Sequence, residues 1–240
     1  MKNVFLFSLL LLVFASGCRE ISARRERGSG NITSQTRNIS GFSNIHVSGA
    51  IDVYVRQDSS TSVKIDTDDN LQQYVEVYTD NSTLIIRVQR GIRIRASRKI
   101  KVYISNPEYR EFEISGASSI FSENEITSGT SLHFNLNGAS DGKVDINAPG
   151  VSVDVSGASN ITMRGKTKDF KGTASGASEI KSFDLLSENS DTEVSGASSA
   201  EVYASVRLQG HASGASQIRY KGNASTSISS SGASGVNKVD

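Results

Sequence analysis

The chain has 240 residues, a formal net charge of +1 and no tryptophan. A net charge so close to zero, without a long basic block, argues against a nucleic-acid partner. The only cysteine is Cys18, so no disulfide can form within the chain.

The first 18 residues have the pattern of a lipoprotein signal peptide. Lys2 supplies the positive charge, an apolar run extends from Val4 to Phe14, and three small residues precede Cys18. The run is too short for a permanent transmembrane helix. We therefore predict cleavage before Cys18 and acylation of that cysteine, which would anchor the protein in a membrane leaflet. An ordinary secretory signal with an incidental cysteine is the alternative.

Residues 19–37 are polar and charged and include Gly28-Ser29-Gly30, which predicts a flexible tether. The tether arginines could contact anionic lipid head groups, although a solvated segment is the simpler interpretation. Residues 38–240 are long enough for one domain.

Between Phe42 and Ile114, apolar and polar residues alternate with a period of two, as in Ile51–Val55 and Leu84–Val88. This alternation predicts half-buried β-strands, longer than those that follow. Asp69–Gln73 is the one segment here that favours a helical turn.

From Phe112 onward a four-residue sequence, Ser-Gly-Ala-Ser, recurs every 18 to 22 residues. Its copies begin at Ser115, Asn137 (with Asn in place of Ser), Ser156, Ser175, Ser195, Ser213 and Ser231. A period near 20 indicates stacked coils, each of which buries its apolar edge against its neighbours. The sequence therefore predicts an all-β fold, a single-stranded, right-handed parallel β-helix.

The repeated sequence is interpreted as the corner of each coil. Its glycine would adopt positive φ, its alanine would fill the inside of the corner, and its serines would form hydrogen bonds along the stack. Apolar columns lie before and after the corner, and they shrink toward the C-terminus, which predicts a thin last coil.

The ordered combination of motifs is similar to a known family. The motifs are Arg37–Ile45, Ser48–Val53, Asp69–Leu71, Leu84–Ile86 and the Ser-Gly-Ala-Ser series. Together they resemble the exported bacterial proteins described as putative auto-transporter adhesin, head GIN domain. The resemblance implies a β-helical cell-envelope protein, often a lipoprotein, and it brings no defined ligand or catalytic residue.

A polar column between the apolar ones contains Glu113, Asp154 and Glu193 on alternate coils. Two coils would separate these carboxylates by about 9 to 10 Å, which suits an inverting glycosidase pair. A solvated acidic stripe is the simpler interpretation. Calcium would need more converging oxygens than this column supplies.

The densest positive charge includes Arg93 and Arg95, which alternate with isoleucines and so share one strand face. This face could bind anionic glycans or lipid head groups. Alternatively, the arginines protect an exposed strand edge from pairing with another molecule.

The three histidines, His46, His133 and His211, have no metal-binding spacing, and the chain contains no nucleophile elbow or phosphate-binding loop. We therefore expect no catalytic residue, cofactor or metal. The sequence favours a non-enzymatic, lipid-anchored envelope protein whose β-helix serves adhesion, ligand binding or assembly. A carbohydrate-active β-helix enzyme and a self-assembling scaffold are the alternatives.

The expected partners are the membrane, through the lipid anchor, and envelope or host glycans or proteins. Arg19, in place of an aspartate that would favour inner-membrane retention, favours the outer membrane. The oligomeric state and the side of the membrane stay open.

Overall fold

The computed structural model describes residues 24–239. The N-terminal part contains β1 (Arg24–Arg27), β2 (Ile32–Arg37), β3 (Asn44–Gly49), β4 (Ile51–Gln57), β5 (Ser62–Asp68), a 3-10 helix (Asp69–Tyr74), β6 (Val75–Asp80), β7 (Thr83–Val88), β8 (Ile92–Arg95) and β9 (Ile100–Asn106). The helical turn expected from the sequence is therefore confirmed.

The repeat region continues the series of strands. It contains β10 (Glu111–Gly116), β11 (Ser119–Ser122), β12 (Ile126–Thr127), β13 (Leu132–Leu136), β14 (Asp141–Val155), β15 (Asn160–Ala174), β16 (Glu179–Val194), β17 (Ser199–Tyr203), β18 (Arg207–Gly214), β19 (Gln217–Lys221), β20 (Ser225–Gly232) and β21 (Gly235–Lys238).

Two parallel ladders run along the stack. The leading ladder joins the strands that precede each corner: β7, β3, β10, β13, the C-terminal parts of β14, β15 and β16, then β18 and β20. The trailing ladder joins the strands that follow each corner: β9, β4, β11, the N-terminal parts of β14, β15 and β16, then β17, β19 and β21. The fold is thus the expected stacked parallel β-solenoid.

The N-terminal end of the solenoid is closed by antiparallel strands. The chain begins the stack with β3 and β4, and β7 and β9 then add the outer layer. β6 pairs antiparallel with β7, β5 with β9, and β2 with β5. These pairings satisfy backbone groups that would otherwise form an open sheet edge.

The segment predicted to be a flexible tether is ordered from Arg24 onward. β1 pairs parallel with β8, and β2 pairs with β5 over its whole length. The polar side chains that suggested a tether also suit an edge strand, which needs ladder hydrogen bonds more than an apolar face. Residues 19–23 and the predicted signal peptide lie outside the described residues.

The prediction of longer strands in the N-terminal part is wrong. The longest strands lie in the repeats. β1 to β10 have 4 to 7 residues, whereas β14, β15 and β16 have 15, 15 and 16. In these long strands the ladder continues through a bend that separates the trailing strand from the next leading strand. Gly165, with φ of 115°, provides such a bend within β15.

The corners confirm the expected glycine conformation and correct the expected place of alanine. Gly157 has φ of 79°, and the other corner glycines of the repeat have similar values. Ala158 is exposed and Ser159 is buried, and this arrangement recurs in the other copies except the last, where Ser234 is half-buried. The serine hydroxyl suits the inside of the corner because it accepts a hydrogen bond from the Ser140 N–H at 3.1 Å, which a methyl group could not do.

The apolar core follows the axis of the solenoid and becomes thinner toward the C-terminus, as expected. Phe112 stacks on Phe134 with ring centroids 4.8 Å apart, near the wide end. Ile218 is fully buried, whereas Ile228 in β20 is 44% exposed. The packing that stabilises each coil therefore weakens along the stack.

Candidate binding surfaces

The polar column predicted from the repeats is present on the outward side of the leading ladder, which we call the leading face. Backbone register aligns Glu113 with Asn135, Asn135 with Asp154, Asp154 with Thr173, and Thr173 with Glu193. Each pair of carboxylates is separated by one neutral residue, about 10 Å in all. The three predicted carboxylates are thus aligned but not in contact.

Glu113 has a partner in the layer below it. Its Oε2 lies 3.5 Å from Nδ1 of His46, which β3 places in the same column. The carboxylate at this end of the column is therefore engaged by an imidazole. His133 lies in a neighbouring column and His211 lies near the C-terminal end, so the register does not bring the three histidines together.

A second polar column lies two residues earlier in the same strands and shares the leading face. Register aligns its members in the order Glu111, His133, Ser152, Lys171, Asp191 and Gln209. This column carries both charges, and it was not predicted from the sequence.

A groove of about 320 Å³ opens on the leading face. Its lining includes His133, Lys171, Asp169, Asp191 and Arg207, together with smaller polar residues. The groove combines two carboxylates, two cationic groups and an imidazole, so it can contact a polar ligand that carries either charge. A cluster of this kind is a natural place for ligand binding.

A glycine in the groove wall packs closely against the preceding coil. A Cβ added to Gly150 would lie 2.4 Å from Oγ of Ser131, so no larger side chain fits there without movement. Beside it, the Asn189 side-chain amide donates to Oδ1 of Asp169 at 2.8 Å. The Pro149-Gly150 pair, which interrupts the repeat pattern, is the sequence signal that could have identified the groove.

The trailing ladder carries a short aromatic stack. The rings of Tyr103, Tyr54 and Phe121 follow one another with centroids 5.1 Å apart. Lys64 Nζ lies 4.5 Å from the Tyr103 ring centroid. Because the ring faces contact one another and a lysine, they stabilise the ladder rather than form an open platform for a sugar ring.

The basic stretch forms part of a small separate sheet. β1 and β8 pair in parallel, with Arg25 opposite Arg93 and Arg27 opposite Arg95. All four arginines are exposed and, because strand side chains alternate, they share one face, which we call the arginine face. The two segments are far apart in the sequence, and only the fold brings them together.

The other side of this sheet is less polar. Ile92 and Ile94 are half-buried there, and Arg24 forms an ion pair with Glu26. A groove of about 620 Å³ lies between this side and the first corner of the solenoid. Its apolar lining residues are Ala50, Val88, Ile92, Ile94, Ala96 and Ile100, and Arg93, Arg95, Arg98 and Lys99 also border it.

The turn after β1 is attached to the 3-10 helix. The Ser29 hydroxyl donates to Oδ1 of Asp69 at 2.5 Å, and the Asn31 side-chain amide donates to Oδ2 at 3.0 Å. These hydrogen bonds lower the pKa of Asp69 below its ordinary value, and the one from Ser29 has the larger effect. The Asn70 side-chain amide also donates to the Arg27 carbonyl at 2.8 Å, which holds the two-stranded sheet of β1 and β8 in position.

Other features predicted from the sequence lie outside these surfaces. Cys18 lies outside the described residues. Among residues 24–239, no cluster of three or more histidine, cysteine or acidic side chains is arranged to hold a metal ion. In the same range, no helix has the length and hydrophobicity needed to cross a membrane.

A family model described as putative auto-transporter adhesin, head GIN domain, matches residues 41–224. The chain belongs to this family. The match covers strands β3 to β19 and the leading-face groove of this head GIN domain protein. No curated protein sequence matched it.

Solved structures share the fold of this head GIN domain protein. A putative adhesin from Bacteroides fragilis has a TM-score of 0.83 at 17% identity, and the alignment covers 89% of this chain and 100% of that one. A putative lipid binding protein from Parabacteroides distasonis has a TM-score of 0.68 at 22% identity, covering 90% and 100%. A putative adhesin from Parabacteroides merdae has a TM-score of 0.70 at 20% identity, covering 91% and 100%.

Proposed function

We propose that this head GIN domain protein is a non-enzymatic, lipid-anchored protein of the cell envelope that binds a polar ligand through its leading face. The observation that carries this proposal is the groove of about 320 Å³, with acidic and basic side chains set in a long polar face. The adhesin description of its family is consistent with a binding role.

The backbone around the groove favours recognition of an extended ligand. Register is continuous from Val151 through Phe170 to Ser190, and each of these residues is buried beneath the groove. The polar side chains next to these buried residues therefore repeat from one coil to the next at a spacing of about 4.8 Å. An extended glycan or peptide could contact several coils in succession. Binding would then need no conformational change in the protein.

A glycan and peptide binding screen tests the proposal. We expect Lys171→Ala combined with Arg207→Ala to weaken binding of the best ligand at least tenfold, because both cations line the groove. Lys143→Ala combined with Lys168→Ala is the matched control, since both lysines are exposed and neither lines the groove. Equal binding by the groove variant and the control would refute the proposal, as would turnover of a bound glycan.

The anchor belongs to the same proposal and has its own test. Acylation of Cys18 would tie the protein to a membrane leaflet, in our proposal that of the outer membrane. Intact mass measurement of the mature protein should show a chain that begins at Cys18 and carries acyl groups. Cys18→Ser should release the protein from the membrane fraction, and a membrane-bound variant without acyl groups would contradict the anchor.

A further inference from the structure

We propose that the arginine face is a docking surface for an anionic phospholipid membrane, and this inference rests in part on the proposed lipid anchor. The face consists of Arg25, Arg27, Arg93 and Arg95 in two paired strands. Docking would fix the orientation of the solenoid relative to the membrane that holds it.

The arrangement of charge is the first argument. Paired residues in a parallel ladder lie about 4.8 Å apart, and like charges directly opposite one another destabilise a sheet. Among the described residues, no carboxylate lies within ion-pair distance of any of the four guanidinium groups. This local concentration of positive charge lies in a chain whose net charge is only +1. An external anion would relieve the repulsion.

Protection of a strand edge explains the four arginines less well than binding of an external anion does. One charged side chain pointing into the edge is enough to discourage pairing with another molecule. Here both strands of a two-stranded sheet place arginines on the same face, at two successive levels. Arginine also binds phosphate oxygens with two parallel N–H groups, which suits phospholipid head groups.

The apolar groove favours a lipid surface over a soluble anionic polymer. Ile92 and Ile94 project from the side of β8 opposite Arg93 and Arg95, and they line the groove of about 620 Å³. Arg93, Arg95, Arg98 and Lys99 border the same groove, so cationic groups at its rim lie beside apolar groups in its wall. The interface of a membrane offers phosphate and hydrocarbon at similar proximity, whereas an anionic polysaccharide offers no hydrocarbon.

The position in the chain places this face near the proposed anchor. Arg24, the first residue of β1, is 6 residues after Cys18. Six residues span at most about 20 Å when fully extended. Since Asp69 and Asn70 attach the following turn to the solenoid, an acylated Cys18 would hold the arginine face close to the head groups.

Vesicle binding by the chain from residue 19 onward tests the docking surface without the anchor. This chain contains every described residue, and hence all the strands and the core. The probes are vesicles of phosphatidylglycerol with phosphatidylcholine, and vesicles of phosphatidylcholine alone. We expect binding only to the anionic vesicles, and weaker binding as salt is raised.

Two independent variant pairs locate the site. Arg25→Gln with Arg27→Gln, and Arg93→Gln with Arg95→Gln, should each weaken vesicle binding roughly thirtyfold, since each basic residue near an anionic surface contributes a factor of about five. Lys143→Gln with Lys168→Gln is the charge-matched control, because both lysines are exposed on other parts of the solenoid. The control should bind as the unaltered chain does.

Four results would overturn the inference: equal binding to neutral vesicles, undiminished binding by both arginine variants, release by inorganic phosphate at constant ionic strength, or tighter binding to a soluble anionic polysaccharide. The third would indicate a small-anion site and the fourth a glycan site. Failure of Cys18 acylation would refute the anchor alone, because these measurements do not involve residue 18.

Discussion

Ser97 binds the carboxylate of Asp68 through two hydrogen bonds. Its hydroxyl donates to Oδ1 at 2.6 Å and its backbone N–H donates to Oδ2 at 2.9 Å. The Gly30 N–H donates to the same Oδ1 at 2.8 Å. Because Asp68 is fully buried at the end of β5, one carboxylate joins the segments that follow β1 and β8 to the solenoid.

Replacing the Asp68 carboxylate should loosen the attachment of the β1–β8 sheet to the solenoid. In Asp68→Asn an amide group would face two backbone N–H donors, so we expect the free energy of unfolding to fall by about 1.5 to 3 kcal/mol. Hydrogen exchange should become faster in residues 24–37, and urea unfolding measures the loss. Asp80→Asn, at an exposed position, should change the free energy by less than about 0.5 kcal/mol. Unchanged exchange in residues 24–37 would contradict the role of Asp68.

The same carboxylate predicts loss of stability in acid. Burial tends to raise the pKa of Asp68, but the hydrogen bonds from Ser97 and Gly30 outweigh it, so the pKa lies below the ordinary value of 3.8. The contribution to stability is therefore fully present above the unfolded pKa and is lost as the pH falls through the folded one. Limited proteolysis should cleave residues 24–37 faster at pH 2.5 than at pH 6. In Asp68→Asn this difference should shrink, and a full difference in the variant would assign it to other groups.

The repeats were predictable from sequence because the information is local. One glycine per coil, flanked by apolar residues at fixed offsets, is enough to define corner, ladder and core. The side chain that fills the corner was not predictable, since Ala158 and Ser159 are both small and only the hydrogen bond from Ser140 separates them.

The pairing of β1 with β8 could not be predicted from the sequence either, for a different reason. Arg25 and Arg27 alternate as a strand does, but alternation does not specify which distant strand becomes the partner. The pairing depends on Asp68 and Asp69, whose contacts with the turn after β1 have no local signal. The arginine face therefore became visible only in the fold.

A corner glycine should be more sensitive than other glycines of positive φ. A Cβ at Gly157 would lie 2.5 Å from the Gly138 carbonyl oxygen of the preceding coil, and φ there is 79°. Gly41 has a similar φ of 77° with no atom within 4 Å of the added Cβ. We expect Gly41→Ala to cost about 1 to 2 kcal/mol from the backbone alone, and Gly157→Ala to cost more because the coils must separate. Equal costs in urea unfolding would refute the steric argument.

The decline in packing along the solenoid predicts a gradient in the cost of core truncation. Ile161 is 1% exposed. Its Cγ1 would lie 2.8 Å from a Cβ added to Gly142, so the Ile161 side chain fills the space that is free because Gly142 has no side chain. Ile161→Ala should therefore lower the free energy of unfolding by about 2 to 5 kcal/mol, because the cavity has no side chain to fill it. Ile228 is 44% exposed, and Ile228→Ala should cost less than about 1 kcal/mol. Urea unfolding of the two variants compares these costs, and similar losses would show that the C-terminal coil is packed as tightly as the middle of the stack.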